Sequence, residues 1–183
     1  MSVASQQRLL SADRAPRLPS LSGATKRAAA PRCQRSSTRA CRSGKRASVS
    51  RALKTIVEEI GACRVCAAAL PHEPRPVVWV DARARILIAG QAPGRRVHES
   101  GIPWNDPSGD RLRDWMKLDR ETFYDKRNIA VAAMGFCFPG TVDGADLPPR
   151  RECAPLWRPR LLPLLKNVRL TLLVGAYAQR YHL

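Results

Sequence analysis

Acidic residues are scarce in this sequence, which has 15 Asp and Glu against 32 Lys and Arg. The scarcity is greatest in residues 1–50, where Asp13 is the one acid beside 11 basic residues. Residues 51–183 hold 21 basic and 14 acidic residues, a net charge of +7. This surplus favours a nucleic acid over an acidic protein as the partner, although a merely basic surface would show it too.

Long apolar runs are missing as well. No segment approaches the ~20 apolar residues of a transmembrane helix, so we expect no membrane span. The apolar stretch of a secretory signal peptide does not follow Met1 either. We therefore expect the six cysteines to be reduced thiols or metal ligands and not a disulfide framework. The expected protein is a monomer of the cytoplasm, in the bacterial cytosol or nucleoid.

Residues 1–50 lack any sustained apolar period and are rich in Arg, Ser, Ala and Pro. Such a composition predicts a disordered basic extension, because it cannot bury enough surface to offset chain entropy. Three interpretations compete: an organellar transit peptide, a basic arm that contacts phosphates, or an upstream extension from a wrong start codon. We favour the last.

Residues 51–183 alternate between helical and strand patterns. Three β-branched or apolar runs, at 85–89, 128–133 and 169–174, predict buried strands. Apolar residues recur at helical spacing before or after these strands, from Leu53 to Gly61, at 110–118 and at 151–165. A strand–loop–helix order repeated three times predicts an α/β fold, a three-layer α/β/α sandwich with a central parallel sheet. The run at 77–80 predicts an edge strand or an extended approach to the sheet.

The stretch from Ile86 to Asp110 is the strongest candidate for a site. It runs from a predicted strand into a loop rich in Gly and Pro, which lets backbone approach a ligand closely. The loop carries an aromatic residue, an imidazole and several amide or carboxylate groups, as a pocket for a flat polar ligand requires. Long loops without structure of their own are usually functional or disordered, and Trp104 argues against disorder.

Four cysteines in this part of the chain form a second pattern: Cys63 and Cys66 as C-x2-C, then Cys137 and Cys153. A zinc ribbon usually shows two close pairs, whereas four thiolates without a histidine suit a [4Fe–4S] cluster. Zinc stays open as the alternative metal. Four unrelated buried cysteines are the third possibility, because free cysteine is often a small apolar core residue.

Together these residues resemble the family 4 uracil-DNA glycosylases, the iron–sulfur members of the uracil-DNA glycosylase superfamily. The family motif G-E-x-P-G, followed at fixed spacing by G-x-P-F and a small residue with Gly, is similar to Gly90–Gly94, Gly101–Trp104 and Ser108–Gly109. The order of the four cysteines also matches the family. The resemblance covers residues 53–183 and implies a [4Fe–4S] cluster and hydrolysis of the N-glycosidic bond of a damaged base in DNA.

The resemblance implies roles for individual residues. Trp104 takes the place of the aromatic residue that stacks on the flipped base. Backbone N–H groups of the Gly90–Gly94 segment, formed by Gly90, Gln91, Ala92, Pro93 and Gly94, would line the base pocket and stabilise the departing base. Gln91 or His98 would position or activate water. Ala133 aligns with the Asn that often recognises the edge of uracil.

The sequence also departs from that family. Gln91 replaces the acidic residue of the first motif, and an amide can orient water but cannot act as a general base. The family's final His-Pro-Ser motif has no counterpart before Leu183, unless His182 substitutes, so we expect a domain incomplete at its C-terminus. A catalytically impaired, DNA-binding member with a structural cluster is therefore the alternative function. A structural protein without a nucleic-acid role is the third hypothesis.

Overall fold

The computed structural model describes the backbone of residues 38–183 and the side chains of residues 47–183. Six α-helices lie in this part of the chain: α1 Thr38–Gly61, α2 Arg95–Ser100, α3 Pro107–Met116, α4 Arg120–Tyr124, α5 Cys153–Leu161 and α6 Ala176–His182. Five strands accompany them: β1 Ile86–Ala89, β2 Ile129–Val131, β3 Thr141–Val142, β4 Ala145–Asp146 and β5 Leu170–Leu173.

The helix α1 is longer than the sequence predicted. Apolar periodicity begins at Leu53, but the helix begins at Thr38, so the expected boundary at residue 50 falls inside it. The residues before Leu53 include Ala, Arg and Lys, which favour helix without supplying an apolar stripe. The rest of the predicted disordered extension, residues 1–37, lies outside the described residues.

The main sheet contains three parallel strands in the order β2-β1-β5. In its register, Leu87 of β1 lies opposite Ala130 of β2 and Thr171 of β5. Parallel neighbours require crossover connections, which the helices between these strands supply. The predicted α/β fold with a parallel sheet is confirmed.

Both faces of the sheet are covered by helices. On one face Leu87 packs in a buried cluster with Ile60 of α1 and Leu161 of α5. On the other face Ile88 packs with Leu112 of α3 and Phe123 of α4. The alternation of Leu87 and Ile88 follows from the period of two in a strand, which points successive side chains to opposite faces. The result is the expected α/β/α layering.

Several predicted elements differ in detail. Residues 77–80 form no strand, and Trp79 alone pairs with Val131 in an antiparallel bridge. The predicted helix 151–165 is α5, which contains Pro159 and passes into a 3₁₀ turn at Leu162–Leu164. The central loop contains the short helix α2, and the polar connection after Gly140 contains the hairpin β3–β4. None of the described helices has the length and hydropathy needed to cross a bilayer.

Candidate active site

A cavity of about 320 Å³ opens where the strands of the main sheet end, and we call it the sheet-edge cavity. Parallel strands end at one edge of a sheet, so segments distant in the sequence meet there. Val131 and Ala133 come from the end of β2, and Val174 and Gly175 follow β5. The other lining residues are Val77, Gly90, Gln91, Ala92, Pro93, Gly94, Val97, Pro103, Trp104, Asp106, Ser108 and Asp146.

The Gly90–Gly94 segment forms one wall of this cavity directly after β1. Its position is set by the segment after β2, because the carbonyl groups of Gly90 and Gln91 accept hydrogen bonds from Met134 and Gly135, each at 2.9 Å. Within residues 38–183 no protein acceptor pairs with the N–H groups of Gln91, Ala92 or Gly94. Pro93 has no N–H, so three backbone donors remain for a ligand in the cavity.

Trp104 also lines the cavity, in a left-handed backbone conformation with φ 57°. Its carbonyl oxygen accepts hydrogen bonds from Arg113 Nη1 at 3.1 Å and from the Tyr124 hydroxyl at 3.2 Å. These hydrogen bonds hold Trp104 in a backbone conformation that is uncommon for a bulky residue. The indole ring lies against Gly90, where an added Cβ would be 3.1 Å from Trp104 Cζ2. Gly90 therefore lets the ring approach the first residue after β1.

The hairpin β3–β4 brings to the cavity a carboxylate that no motif in the sequence marks. Asp146 lines the cavity, and its Oδ2 lies 3.2 Å from where a Cβ on Gly94 would be. The side-chain amide of Gln91 donates to the Leu147 carbonyl at 3.1 Å, which ties the hairpin to the Gly90–Gly94 segment. Asp143 and Gly144, with φ of 50° and 80°, form the turn. An Asp-Gly pair is a strong hairpin signal and could have revealed this element.

Asp106 is the second carboxylate in the cavity, but its side chain also caps a helix. Oδ1 accepts hydrogen bonds from the Gly109 N–H at 2.8 Å and from the Ser108 hydroxyl at 2.5 Å. These bonds satisfy donors at the start of α3, as an N-cap residue does. Asp146 has one such contact, from the Thr141 hydroxyl at 3.3 Å. Asp146 is therefore less committed to local structure than Asp106.

His98 does not line the sheet-edge cavity. Its ring packs near His72 and Phe138, with ring centroids 5.3 Å and 5.9 Å away. Nδ1 is buried and has no hydrogen-bond partner among the described residues. Burial lowers the pKa of His98, and the nearby His72 and Arg75 lower it further. The predicted water-activating residues are thus separated, with Gln91 in the cavity and His98 in an aromatic cluster beside it.

Ala133 lines the cavity but offers only a methyl group where the related family often has an Asn. Behind it lies Arg158, which is fully buried and donates to the carbonyl groups of Ala132 and Ala133 at 2.8 Å and 3.2 Å. Arg158 Nη2 is also 2.6 Å from His182 Nε2. His182 therefore contacts Arg158 and does not line the cavity.

The four cysteines of the folded part line a second space, which we call the cysteine cavity. Cys63 and Cys66 follow α1, Cys137 follows β2, and Cys153 begins α5. Most of the other lining side chains are apolar, among them Ile60, Leu70, Pro74, Phe136 and Trp157. The fold thus brings together the four thiols that the spacing had suggested as a set.

The surroundings of these thiols favour the thiolate at one point and the neutral thiol at two. The Phe136 N–H donates to Cys153 Sγ at 3.4 Å, a contact that favours the thiolate. Burial raises the pKa of Cys137 to about 11 and that of Cys153 to about 12. The cavity encloses about 20 Å³, and among the described residues no group of three His, Cys, Asp or Glu side chains could hold a metal ion as they stand. Binding would therefore require the thiols to move and to lose protons.

Residues 77–183, more than half of the chain, match the family model described as the Uracil DNA glycosylase superfamily. Every residue that lines the sheet-edge cavity lies within the matched segment. Cys63 and Cys66 precede it, so the match includes only two of the four thiols of the cysteine cavity.

Proposed function

We propose that this chain, which belongs to the uracil DNA glycosylase superfamily, hydrolyses the N-glycosidic bond of uracil or a related deaminated base in DNA. Membership of the superfamily supports a DNA glycosylase-like hydrolase acting on DNA. The observation that carries the finer proposal is the sheet-edge cavity, where the Gly90–Gly94 segment, Trp104 and Ala133 meet. Its volume of about 320 Å³ lies in the range of small-ligand sites.

The walls of the cavity suit a flat base that has been flipped out of the DNA stack. The indole of Trp104 supplies a stacking surface beside Gly90. The N–H groups of Gln91, Ala92 and Gly94, which have no acceptor among the described residues, supply hydrogen-bond donors. When the glycosidic bond breaks, negative charge develops on the departing base, and preorganised backbone donors stabilise such charge without reorganisation.

Asp146 is the group that we assign to the attacking water. Gln91 can orient water, but its amide already donates to Leu147 and cannot accept a proton as a general base. The Asp146 carboxylate stands beside Gly94 at the wall of the cavity. There it can accept a hydrogen bond from a water molecule and favour the positive charge that develops on the sugar.

A base-release assay on uracil-containing single-stranded and duplex oligonucleotides tests the function. We expect free uracil and an abasic product from the wild-type protein. Asp146→Asn keeps the size of the side chain but removes its charge, and should slow single-turnover release by about 10²-fold or more. Asp143→Asn is the matched control, because Asp143 lies in the hairpin turn and does not line the cavity.

The outcomes separate two functions. Tight binding to uracil-containing DNA without release of uracil, hypoxanthine or xanthine would favour the alternative, a binding member of the superfamily that does not turn over. The replacement of the family's acid by Gln91 is the observation behind this alternative. Release by the wild type and by Asp146→Asn at equal rates would keep the glycosylase and remove Asp146 from the mechanism.

We also propose that the cysteine cavity holds a [4Fe–4S] cluster through Cys63, Cys66, Cys137 and Cys153. Four thiols from three segments, apolar walls and an N–H donor to sulfur support this proposal. Such a cluster would tie α1, the segment after β2 and α5 together. Anaerobic purification should yield protein with visible absorbance and equal amounts of iron and acid-labile sulfide. Colourless protein with one zinc per chain would establish the zinc alternative.

A further inference from the structure

We infer that a groove beside the sheet-edge cavity binds unpaired, single-stranded DNA that flanks the flipped nucleotide. The groove measures about 890 Å³, and we call it the arginine–tyrosine groove after Arg151, Arg180, Tyr177 and Tyr181, which line it together with three prolines. The inference rests on the proposed function and adds to it the strandedness of the substrate and the surface that recognises it.

The groove and the sheet-edge cavity are neighbours along three segments of the chain. Asp146 lines the cavity, and the next residue, Leu147, lines the groove. Ala133 lines the cavity, and Met134 lines the groove. Gly175 and Tyr177 repeat this relation after β5. A nucleotide whose base enters the cavity would therefore leave its flanking phosphates and bases at the end of the groove.

The charge of the groove is complementary to a DNA backbone. Arg150, Arg151 and Arg180 line it. Arg150 forms an ion pair with Glu152 at 2.7 Å. In residues 47–183, neither Arg151 nor Arg180 lies within ion-pair distance of a carboxylate, and both are exposed. Two guanidinium groups are thus available for phosphates, and guanidinium recognises a phosphate through paired hydrogen bonds.

The remaining walls favour bases that are not paired. Tyr181 is 41% exposed, and Arg180 lies over the ring of Tyr177 at 5.3 Å from its centroid. Pro148 and Pro149 add rigid apolar surface without N–H donors. Aromatic rings combined with arginine form stacking platforms for single strands. In a duplex the base faces are stacked on one another, so they cannot reach such rings.

Equilibrium binding to non-cleavable oligonucleotides tests the inference. The probe carries one tetrahydrofuran abasic site, in single-stranded and in duplex form, and the dissociation constant is measured by fluorescence anisotropy at several salt concentrations. Arg151→Ala with Arg180→Ala should weaken single-strand binding and lower the salt slope by about 0.7 for each phosphate that the groove no longer neutralises. Arg85→Ala with Arg169→Ala is the matched control, because these residues directly precede β1 and β5, at the amino ends of the strands and away from the groove.

The second variant separates stacking from charge. Tyr181→Leu removes the ring but keeps apolar bulk, so that the fold is retained even though Arg158 lies over that ring. It should weaken single-strand binding by about 5-fold to about 150-fold, while duplex binding and the salt slope remain unchanged. Circular dichroism of each variant verifies that it is folded.

Equal losses for single strand and duplex in the arginine variant, with no effect of Tyr181→Leu, would show a duplex backbone contact and overturn the inference. Unchanged binding in all variants would also overturn it, and uracil release by the wild type would then leave the proposed function intact. If the variants lose single-strand binding selectively while the wild-type protein releases no base, the groove is supported and the proposed glycosylase activity is refuted.

Discussion

The His98 imidazole packs near aromatic rings in the structure, and the role with water that the resemblance implies for it stays a prediction. Burial lowers its pKa below the value of about 6.5 for an unperturbed histidine. The unfolded chain therefore binds the proton more tightly than the folded protein does. The contribution of His98 to the free energy of unfolding is complete above about pH 6.5, and it decreases as the pH falls from there through the folded pKa of His98.

We expect His98→Phe to lose less stability than the wild type when the pH changes from about 7.5 to about 5.5, because the imidazole is the group that titrates. Urea unfolding at the two pH values measures this difference. The variant should also keep base release, since Phe can pack near His72 and Phe138. Loss of base release in a folded His98→Phe protein would show that His98 takes part in the reaction.

At the scale of elements, the start of α3 is built around the backbone of Trp104. An added Cβ at Gly109 would lie 1.8 Å from the Trp104 carbonyl oxygen, closer than any real contact. That oxygen also accepts hydrogen bonds from Arg113 and Tyr124, so it cannot move without breaking them. Glycine is therefore required at position 109, because the Trp104 carbonyl approaches its backbone too closely for a side chain, and the position of the Trp104 ring depends on this contact.

We expect Gly109→Ala to lower the free energy of unfolding by about 1–3 kcal/mol or more, because it overpacks rigid backbone. Gly61→Ala is the matched control, since nothing lies within 4 Å of its added Cβ, and should change stability little or raise it. Denaturant unfolding of both variants provides the measurement. Similar small effects at the two positions would contradict this account of α3.

The hairpin β3–β4 is attached to the Gly90–Gly94 segment through the amide of Gln91. Gln91→Met keeps the length of the side chain but removes the donor to Leu147. Amide hydrogen exchange in residues 141–147 should accelerate in this variant, while exchange in β1 and β2 should not change, because those strands are buried in the sheet. Unchanged exchange in the hairpin would show that other contacts hold Asp146 at the cavity.

At the scale of the whole molecule, the cysteine cavity joins segments that are far apart in the sequence. In metal-free protein, burial raises the pKa of Cys137 to about 11 and of Cys153 to about 12. Unfolded thiols titrate near pH 8.5. The folded protein therefore binds the thiol protons more tightly than the unfolded chain does. The resulting contribution to the free energy of unfolding is complete below about pH 8.5 and is lost as the pH rises towards the folded pKa values.

We expect the stability of metal-free protein to fall between about pH 8 and about pH 10, and the fall to be smaller in a Cys137→Ala, Cys153→Ala variant. Urea unfolding of chelator-treated samples measures both. Protein that retains a thiolate-bound cluster should lack this contribution, because its thiols are already deprotonated. An identical pH dependence of the metal-free wild type and the double variant would contradict the raised pKa values.

The sequence by itself determined the layers of the fold and most of the sheet-edge cavity. The runs around Leu87, Ala130 and Leu172 are local hydrophobic patterns, and a parallel sheet places their carboxyl ends at one edge. The Gly90–Gly94 segment follows β1 at that edge, and Trp104 comes later in the same connection, after α2. The sequence also suggested the four cysteines as a set, through the C-x2-C pair and the two later cysteines, and all four line the cysteine cavity.

Tertiary structure alone decided which polar groups face the cavity. Asp146 enters through a hairpin whose position depends on Gln91 and Leu147, a contact between residues 56 positions apart in the chain. His98 turns towards His72 and Phe138 because those aromatic rings meet it only in the folded chain. The arginine–tyrosine groove likewise combines the segment after the hairpin with α6. Side-chain direction and long-range contacts are absent from local patterns, so they emerge only when the layers pack.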